Sequence, residues 1–391
     1  MISLCNLKSL RLGFSIFSST FASKDLKPSH IPLQIQLLCR NFSSEISHNH
    51  HGFTVSYLIN SCGLSPENAI SASKTIKLQS PERADSVLAL LGSHGFSQTQ
   101  ISKLVRSRPR FLLADPDQTL LPKLEFFSSI GVSREDVARI VAYSPNLLVL
   151  SLRKRTVPTY EFLRSMLSEK NAASVVKRGT WIFLEGHSKN VEPNIGILRE
   201  SGMPQSCISL LLARFPRELM WKTEKFGEVV DVVKQMGFNL EKSTSAVAIS
   251  TLCGHNGKSR WDQNLEAYKR WGWSEDDVLS AFRRFPQCMT KSEKKIAQVM
   301  ELLVNKMGWP SRMIAKYPVI MGLSLEKRII PRCKVVKVLL LKGLVNIENL
   351  SLSFVLKPVE KKFLKSFVTR YLHQVPQIAS VYHGNVDIQD V

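Results

Sequence analysis

The chain has 391 residues, and its 53 lysine and arginine residues outnumber 32 aspartate and glutamate residues, giving a formal net charge of +21. A hydrophobic fraction of 44% can build a sizeable core and excludes wholesale disorder. No apolar run approaches the roughly 18 residues that cross a bilayer, so we predict no membrane partner. A charge balance this basic indicates an anionic partner such as nucleic acid.

The first 42 residues have the composition of an organelle transit peptide. They contain five basic residues, one acid and scattered serines, whereas a secretory signal needs a longer apolar segment followed by small residues. Residues 40–44, RNFSS, resemble the arginine-containing cleavage sites of plant mitochondrial presequences. We therefore predict a transit peptide over residues 1–42, a linker over 43–52 and import into the mitochondrion, with the chloroplast as the alternative.

The seven cysteines lie at least 23 positions apart, so none forms a CxxC motif. Isolated cysteines within apolar segments are typical of core residues in a reducing compartment. Cys253 with His255, and His48 with His50 and His51, are incomplete ligand sets, so we predict neither a metal nor a cofactor. The sequence also contains no phosphate loop, nucleophile elbow or paired carboxylates, and we predict that the protein is not an enzyme.

A motif of roughly 35 residues recurs from residue 95 onward. Each copy has an apolar doublet, then a marker residue that is usually proline, then a second apolar cluster, as in LVRSRPRFLL. We number the copies repeats 1 to 8 by their markers Pro109, Pro145, Thr180, Pro216, Thr251, Pro286, Pro318 and Ser353. Two further signals keep the same phase. They are glycines at 95, 131, 202, 237, 272, 308 and 343, and prolines at 122, 158, 193 and 331.

These signals predict three parts in each repeat: helix A ended by the marker, a short apolar segment that we call the plug, and helix B ended by glycine. Proline stops a helix because it lacks the N–H donor, and glycine adopts the left-handed conformation of a helix C-cap. The in-phase prolines suit the opening turn of helix B. We therefore predict an all-α fold over residues 53–373: an α-solenoid of about eight repeats of roughly 35 residues that forms a curved superhelix. Residues 374–391 are predicted to be a C-terminal tail.

With these motifs the chain resembles the mitochondrial transcription termination factor (mTERF) family in its plant organellar form. The resemblance runs from Phe53 to Leu372 and includes FTVSYLINSCGLSPENA, QISKLVRSRPRFLL and LLPKLEFFSSIG. It implies a left-handed superhelix with a positive groove, and nucleic-acid binding in organellar transcription, intron splicing or ribosome biogenesis. Repeats that depart from the motif at Ser168, Thr180, Thr251 and Ser353 are expected to be irregular. The alternative is a pentatricopeptide array that binds single-stranded RNA, but its prolines would lie at the repeat boundary.

Basic residues recur at two phases of the repeat. We define the A row, one to three positions before the marker, as Arg106, Arg108, Lys177, Arg178, Arg214, Arg283, Arg284 and Lys316. We define the B row, eight to ten positions after it, as Arg153, Lys154, Arg155, Lys225, Arg260, Lys294, Lys295, Lys327 and Arg328. Stacked repeats place equivalent positions side by side, so each row is predicted to form a basic stripe that binds phosphates.

The B row carries more of this argument than the A row. It lies at the start of helix B, where cations oppose the helix dipole, so helix stability does not explain it. A phosphate does explain it, because backbone amides and basic side chains converge there on one anion. Lys189, Lys361 and Lys362 share this phase. Tyr143, Phe215, Phe285 and Tyr317 accompany the A row, and we expect them to pack into neighbouring repeats rather than to stack on bases.

The sequence therefore predicts a nucleic-acid-binding regulator of organellar gene expression that acts on double-stranded DNA in transcription termination or regulation. The first alternative is an organellar RNA-binding factor for group II intron splicing or ribosome biogenesis. The second is a protein-binding adaptor, which would need exposed apolar anchors. We expect a monomer whose partners are organellar DNA or structured RNA and other organellar gene-expression proteins.

Overall fold

The computed structural model describes residues 50–254 and 257–386. Its regular segments are all helical, and none of these residues forms a strand, so the predicted all-α helical-repeat fold is confirmed. The predicted transit peptide, His48 and His255 lie outside the described residues, as do the side chains of His50 and His51. The chain divides into two compact bodies, an N-terminal body that ends at His187 and a C-terminal body that begins at Ser188.

Three helices precede repeat 1. Repeats 1 to 4, 6 and 7 follow the predicted order of helix A, plug and helix B, whereas repeats 5 and 8 depart from it. The preceding helices are His50–Asn60, Pro66–Ser73 and Glu82–Ser93. Helix A spans Gln98–Ser107, Arg134–Tyr143, Glu169–Arg178, Gln205–Arg214, Ser243–Cys253, Glu275–Arg284 and Ser311–Lys316 in repeats 1 to 7. The plugs are Pro109–Leu113, Asn146–Val149, Trp181–Glu185, Glu218–Met220, Pro286–Thr290, Pro318–Gly322 and Leu352–Leu356 in repeats 1 to 4 and 6 to 8.

Helix B is a single α-helix in repeats 3 to 5 and contains a π-helical turn in the others. The single helices are Val191–Glu200, Thr223–Gln235 and Gly257–Lys269. Repeats 1, 2 and 7 begin with the turn and continue as α-helix: Pro116–Leu120 with Leu121–Ser129, Leu152–Thr156 with Val157–Met166, and Leu325–Ile329 with Ile330–Leu341. Repeats 6 and 8 have the turn second: Glu293–Met300 with Glu301–Lys306, and Glu360–Phe363 with Leu364–Val368. A short turn at Ile347–Asn349 precedes the plug of repeat 8, and another at Thr369–Tyr371 follows helix B of repeat 8.

The predicted helix ends are confirmed by backbone geometry. All seven in-phase glycines have φ between +66° and +82°, the left-handed region that a side chain rarely adopts. Arg108 and Phe285, which precede the prolines of repeats 1 and 6, have extended φ values of −146° and −151°. This is the restriction that proline imposes on the preceding residue.

The in-phase prolines lie in the first turn of the α-helical part of helix B, as predicted. The π-helical turn that precedes three of them is new. Thr156 N donates to Ser151 O at 3.2 Å, and Ile329 N donates to Ser324 O at 3.0 Å, each across five residues. A π-helical turn is wider than an α-helical turn, and it is compatible with the proline that follows it, which has no N–H to donate.

Repeats without a proline marker differ in how irregular they are. In repeat 3 the extended Gly179 ends helix A and the plug is present. In repeat 5 helix A continues through Thr251 to Cys253 and helix B begins at Gly257, and the described residues between them form no plug. In repeat 8 helix A is reduced to the turn Ile347–Asn349, and Ser353 lies inside the plug rather than before it.

The segment predicted as a tail includes a packed helix, Ile378–His383, which contacts helix B of repeat 7. Ile378 and Val381 are fully buried. The hydroxyl of Tyr382 donates to Glu360 Oε1 at 3.2 Å. The chain therefore folds back onto repeat 7 after repeat 8.

Candidate nucleic-acid interface

The A row lies at the C-terminal end of helix A, and all its members except the half-buried Lys177 are exposed. Contacts between consecutive repeats are made at this level. Arg108 Nε donates to Asn146 Oδ1 at 2.8 Å, and Arg284 Nη1 donates to Lys316 O at 2.8 Å. The ends of helix A in repeats 1 and 2, and in repeats 6 and 7, therefore lie side by side, as stacking requires.

Several members of the A row also stabilise the fold. Lys177 Nζ lies 3.4 Å from Asp136 Oδ2, a carboxylate whose pKa is lowered mainly by a hydrogen bond from Arg139. Arg283 Nη1 donates to Met236 O at 3.1 Å. Cations in the last turn of a helix also interact favourably with its dipole. Because structure alone explains the A row, it gives weaker support for a ligand than the B row.

The B row occupies the first turns of helix B, as predicted. In three repeats a serine caps the helix and its hydroxyl accepts the backbone N–H of a B-row lysine: Ser151 from Lys154 at 3.2 Å, Ser292 from Lys295 at 3.3 Å, and Ser324 from Lys327 at 3.1 Å. These lysines stand at the positive end of the helix dipole, which disfavours their charge.

Five members of the B row are free cations. Arg153, Lys154, Arg260, Lys294 and Lys327 are exposed, and none forms an ion pair with another described residue. Neither neighbouring acids nor helix stability therefore accounts for their positions. An external anion would supply the missing partner.

Two half-buried members of the B row have a different environment. Arg155 donates to three carbonyls in the plug of repeat 3: those of Phe183 (3.2 Å), Leu184 (3.0 Å) and Glu185 (2.9 Å). Lys295 Nζ donates to Leu323 O, after the plug of repeat 7, at 2.9 Å. Burial lowers the pKa of Lys295. These two side chains connect consecutive repeats. Lys225 and Arg328 are also half-buried.

Arg155 and Lys295 belong to a larger set that the sequence interpretation missed. We call them junction donors: polar side chains on helix B that donate to carbonyls at the end of the next plug, namely Lys123, Arg155, Asn194, Asn264, Lys295 and Arg332. The four outside the B row are at most 9% exposed. Their sequence signal is a polar residue thirteen or fourteen positions after the marker, at a position of helix B that is buried against the next repeat.

The aromatic residues beside the A row do not share one environment. Tyr143 is 80% exposed, and Lys103 Nζ lies 5.5 Å from the centroid of its ring. The prediction that Tyr143 packs into a neighbouring repeat is wrong, because most of its surface is exposed to solvent. Phe215, Phe285 and Tyr317 are half-buried. The ring of Phe285 lies over Gly322, where a Cβ would be only 2.8 Å from Phe285 Cζ.

The cysteines of the described part of the chain are core residues. All five are buried and unpaired, and burial raises the pKa of the Cys62, Cys288 and Cys333 thiols to about 12. No group of three or more histidine, cysteine or acidic side chains within 50–254 and 257–386 could hold a metal ion. Among the described helices, none is both long and apolar enough to span a bilayer.

The sequence is similar to one protein family and to two proteins of Arabidopsis thaliana. The mTERF family profile matches residues 88–251 and 251–364, more than half of the chain. The mitochondrial transcription termination factor MTERF15 of Arabidopsis thaliana is 23% identical over 292 residues, which cover 74% of this chain and 56% of that protein. The chloroplastic transcription termination factor MTERF8 of the same plant is 21% identical over 267 residues, which cover 67% and 52%.

The chain thus spans about half the length of the curated relatives it matches. The repeat geometry and the profile agree with each other and favour this family over a pentatricopeptide array. The chain belongs to the mTERF family.

Proposed function

We propose that the protein is a nucleic-acid-binding regulator of organellar gene expression, and that it binds double-stranded DNA in transcription termination or regulation. One observation carries the proposal: five exposed cations of the B row have no acidic partner among the described residues and stand where the helix dipole disfavours them. Both curated relatives are named transcription termination factors, which supports a role in transcription.

The mechanism is phosphate neutralisation along each body. Exposed B-row side chains contact phosphates, and the amides of the helix B N-terminus add partial positive charge at the same place. Such contacts position the duplex but carry no sequence information by themselves. We propose no catalytic activity, no cofactor and no membrane partner, and we propose that the protein acts as a monomer.

The test is fluorescence anisotropy of the full-length chain with labelled duplex DNA, single-stranded RNA and a folded intron RNA across a salt series. Contacts to about six phosphates give a log–log slope near −5 on duplex DNA. A variant with Arg153→Gln, Lys154→Gln, Lys294→Gln and Lys327→Gln loses up to four phosphate contacts. Its log–log slope on duplex DNA should therefore be shallower by about 3 to 4, which leaves a value between about −1 and −2.

The matched control removes four other exposed and unpaired lysines: Lys170→Gln, Lys234→Gln, Lys306→Gln and Lys342→Gln. Its net charge equals that of the B-row variant. If both variants lose the same affinity, only net charge matters and the B row is not the binding surface. If neither loses affinity, the protein-adaptor alternative gains support.

Tyr143 favours a second candidate, an RNA-binding role in group II intron splicing or ribosome biogenesis. Its ring is 80% exposed beside the A row, and an exposed aromatic ring can stack on an unpaired base, which a regular duplex does not offer. Tyr143→Ala should weaken binding to single-stranded or folded RNA by about 1 to 3 kcal/mol, whereas Tyr143→Phe should not. Equal affinity of both variants for RNA would count against this candidate.

We also propose that the protein acts in the mitochondrion, with the chloroplast as the alternative. The basic, serine-containing leader supports import, and the two relatives are named mitochondrial and chloroplastic. The full chain fused at its C-terminus to a fluorescent protein, imaged in plant cells with markers for both organelles, distinguishes them.

A further inference from the structure

The same three-residue motif stands at the start of helix B in repeats 6, 7 and 8. A glutamate, a lysine and a second basic residue follow one another at residues 293–295, 326–328 and 360–362. The central lysine is exposed in all three: Lys294, Lys327 and Lys361. Each of these cations therefore has a carboxylate as its neighbour in the chain. A carboxylate at that place would repel a phosphate that approaches the lysine.

In repeat 6 the carboxylate is bound by the preceding repeat. Arg270 Nη2 donates to Glu293 Oε1 at 2.7 Å. Arg270 directly follows helix B of repeat 5 and lies ten residues beyond Arg260, the B-row cation of that repeat. Ten helical residues span about 15 Å. Arg270 is thus remote from the phosphate position of its own repeat and reaches the acid beside Lys294 in the next one.

The motif glutamates of repeats 7 and 8 also act on a cation of the preceding helix B. Burial lowers the pKa of Lys295 on helix B of repeat 6, and Glu326 opposes this shift. Burial likewise lowers the pKa of Arg332 on helix B of repeat 7, and Glu360 is among the groups that oppose it. In three consecutive repeats, therefore, the first-turn acid has a cationic partner in the repeat before it.

The other repeats fit the same relationship. The first turn of helix B has no acid in repeats 2 and 5, which carry free B-row cations. In repeat 4 the first-turn acid Glu224 is exposed and forms no ion pair with a described residue, and its neighbour Lys225 is half-buried. Among these repeats, free B-row cations occur where the first turn lacks an acid or where its acid is neutralised from the preceding repeat.

We propose that Arg270 is a positioning residue of the phosphate-binding surface: it holds the carboxylate of Glu293 against repeat 5, so that Lys294 meets a phosphate without a competing acid. Lys295 and Arg332 act in the same way on Glu326 and Glu360. The inference rests on the proposed function, because it concerns how the B row binds its anion. Arg270 acts through Glu293 and needs no phosphate contact of its own.

Fluorescence anisotropy of the full chain with labelled duplex DNA, across a salt series, separates this role from a direct contact. Arg270→Gln should weaken binding about threefold, because it releases the carboxylate of Glu293. Adding Glu293→Gln to that variant should restore the wild-type affinity, and Arg270→Lys should retain it. The log–log salt slope should be equal in all of these proteins, since the number of phosphate contacts does not change. A direct contact by Arg270 predicts instead a slope shallower by about 0.9 that Glu293→Gln does not restore.

The matched control is Lys269→Gln, at the adjacent residue. Lys269 Nζ lies 2.7 Å from Glu275 Oε1, so this variant also removes one charge and breaks one ion pair of the same length. Glu275, however, lies in the first turn of helix A in repeat 6 and not beside a B-row lysine. Lys269→Gln should change DNA affinity by less than about 1.5-fold. Thermal unfolding of every variant should match that of the wild type, which shows that the fold is kept.

Three results with DNA would overturn the inference: unchanged affinity of the Arg270→Gln variant, an equal loss in the Lys269→Gln variant, or a loss that Glu293→Gln does not restore. If the wild type does not bind duplex DNA, the proposed function fails, and elution of the same proteins from immobilised heparin, a polyanion, decides the inference. The salt concentration at elution should fall for Arg270→Gln and return with Glu293→Gln. Equal elution of all variants would then overturn the inference as well.

Discussion

The side-chain amide nitrogen of Asn264 lies 2.8 Å from the carbonyl oxygen of Met289, and this buried hydrogen bond joins helix B of repeat 5 to the plug of repeat 6. The same nitrogen donates to Lys291 O at 3.0 Å, and Tyr268 donates to Cys288 O at 3.0 Å. A short helix leaves its last carbonyls without intrahelical donors. Here the preceding repeat supplies the donors, so the plug of repeat 6 is completed by its neighbour.

Asn264→Leu should destabilise the C-terminal body by about 3 kcal/mol, because the substitution leaves buried carbonyls without a donor. The midpoint of thermal unfolding, followed by circular dichroism, measures the loss. Gln263→Leu, at the exposed neighbouring position, is the control and should change stability by less than about 0.5 kcal/mol. Equal midpoints for the two variants would contradict the role assigned to Asn264.

Lys154 and Arg155 are adjacent in the B row but should behave differently. Arg155→Gln should lower the unfolding temperature, because it removes donors from three carbonyls of the repeat 3 plug. Lys154→Gln should leave the unfolding temperature unchanged and weaken DNA binding, because Lys154 is exposed and unpaired. Thermal unfolding and fluorescence anisotropy with duplex DNA, measured for both variants, test whether Arg155 stabilises the fold and Lys154 binds DNA. The reverse pattern would contradict it.

The buried thiols should not react with a thiol reagent at pH 8. They should also make the folded protein less stable to unfolding at alkaline pH. Burial raises the folded-state pKa of Cys288 and Cys333 from 9.0 to about 12, so the thiols stay protonated while the unfolded chain ionises. Stability is therefore fully present below about pH 9 and is lost as pH rises toward 12. A Cys5→Ser, Cys39→Ser variant should react with a thiol reagent only after denaturation. Rapid labelling of the native variant would refute the prediction.

Deletion of residues 375–391 tests whether the segment predicted as a tail is dispensable. The deletion removes Ile378 and Val381, both fully buried, and the Tyr382 hydroxyl that donates to Glu360. Burying two such side chains contributes about 1.5 to 3 kcal/mol each, so we expect a clear fall in the unfolding temperature. Tyr382→Phe, which removes only the hydroxyl, should cost about 1 kcal/mol. An unchanged midpoint in the deletion would support a dispensable tail.

The repeated elements could be predicted from the sequence because their signals are local. Proline and glycine act on the backbone within one or two residues, so Pro109 and Gly131 indicate helix ends without any knowledge of packing. The same logic failed at Thr251, where nothing local stops helix A. It also gave no warning of the π-helical turn before Pro158, which depends on how the helix accommodates a missing donor.

The roles of single basic residues could not be predicted, because they depend on the neighbouring repeat. Lys154 and Arg155 have the same phase and similar charge, yet only Arg155 reaches the next plug. Lys123 and Arg332 lie one turn or more beyond the B row and are almost fully buried, because each donates to a carbonyl of the next plug. The usual behaviour of aromatic residues near a proline predicts a buried Tyr143, but the exposure of this residue depends on what the next repeat leaves uncovered.

The junction donors run in one direction, from helix B of each repeat to the plug of the next. Repeat 4 is the exception: Val230 occupies the donor position in its helix B, and repeat 5 has no plug to receive one. A junction donor in one repeat and a plug in the next repeat are thus present together or absent together. If whole repeats were exchanged between positions in this chain, a buried donor would lose its acceptors unless the next plug moved with it. The exchangeable segment therefore begins at one helix B and ends after the following plug, about half a repeat out of phase with the proline motif.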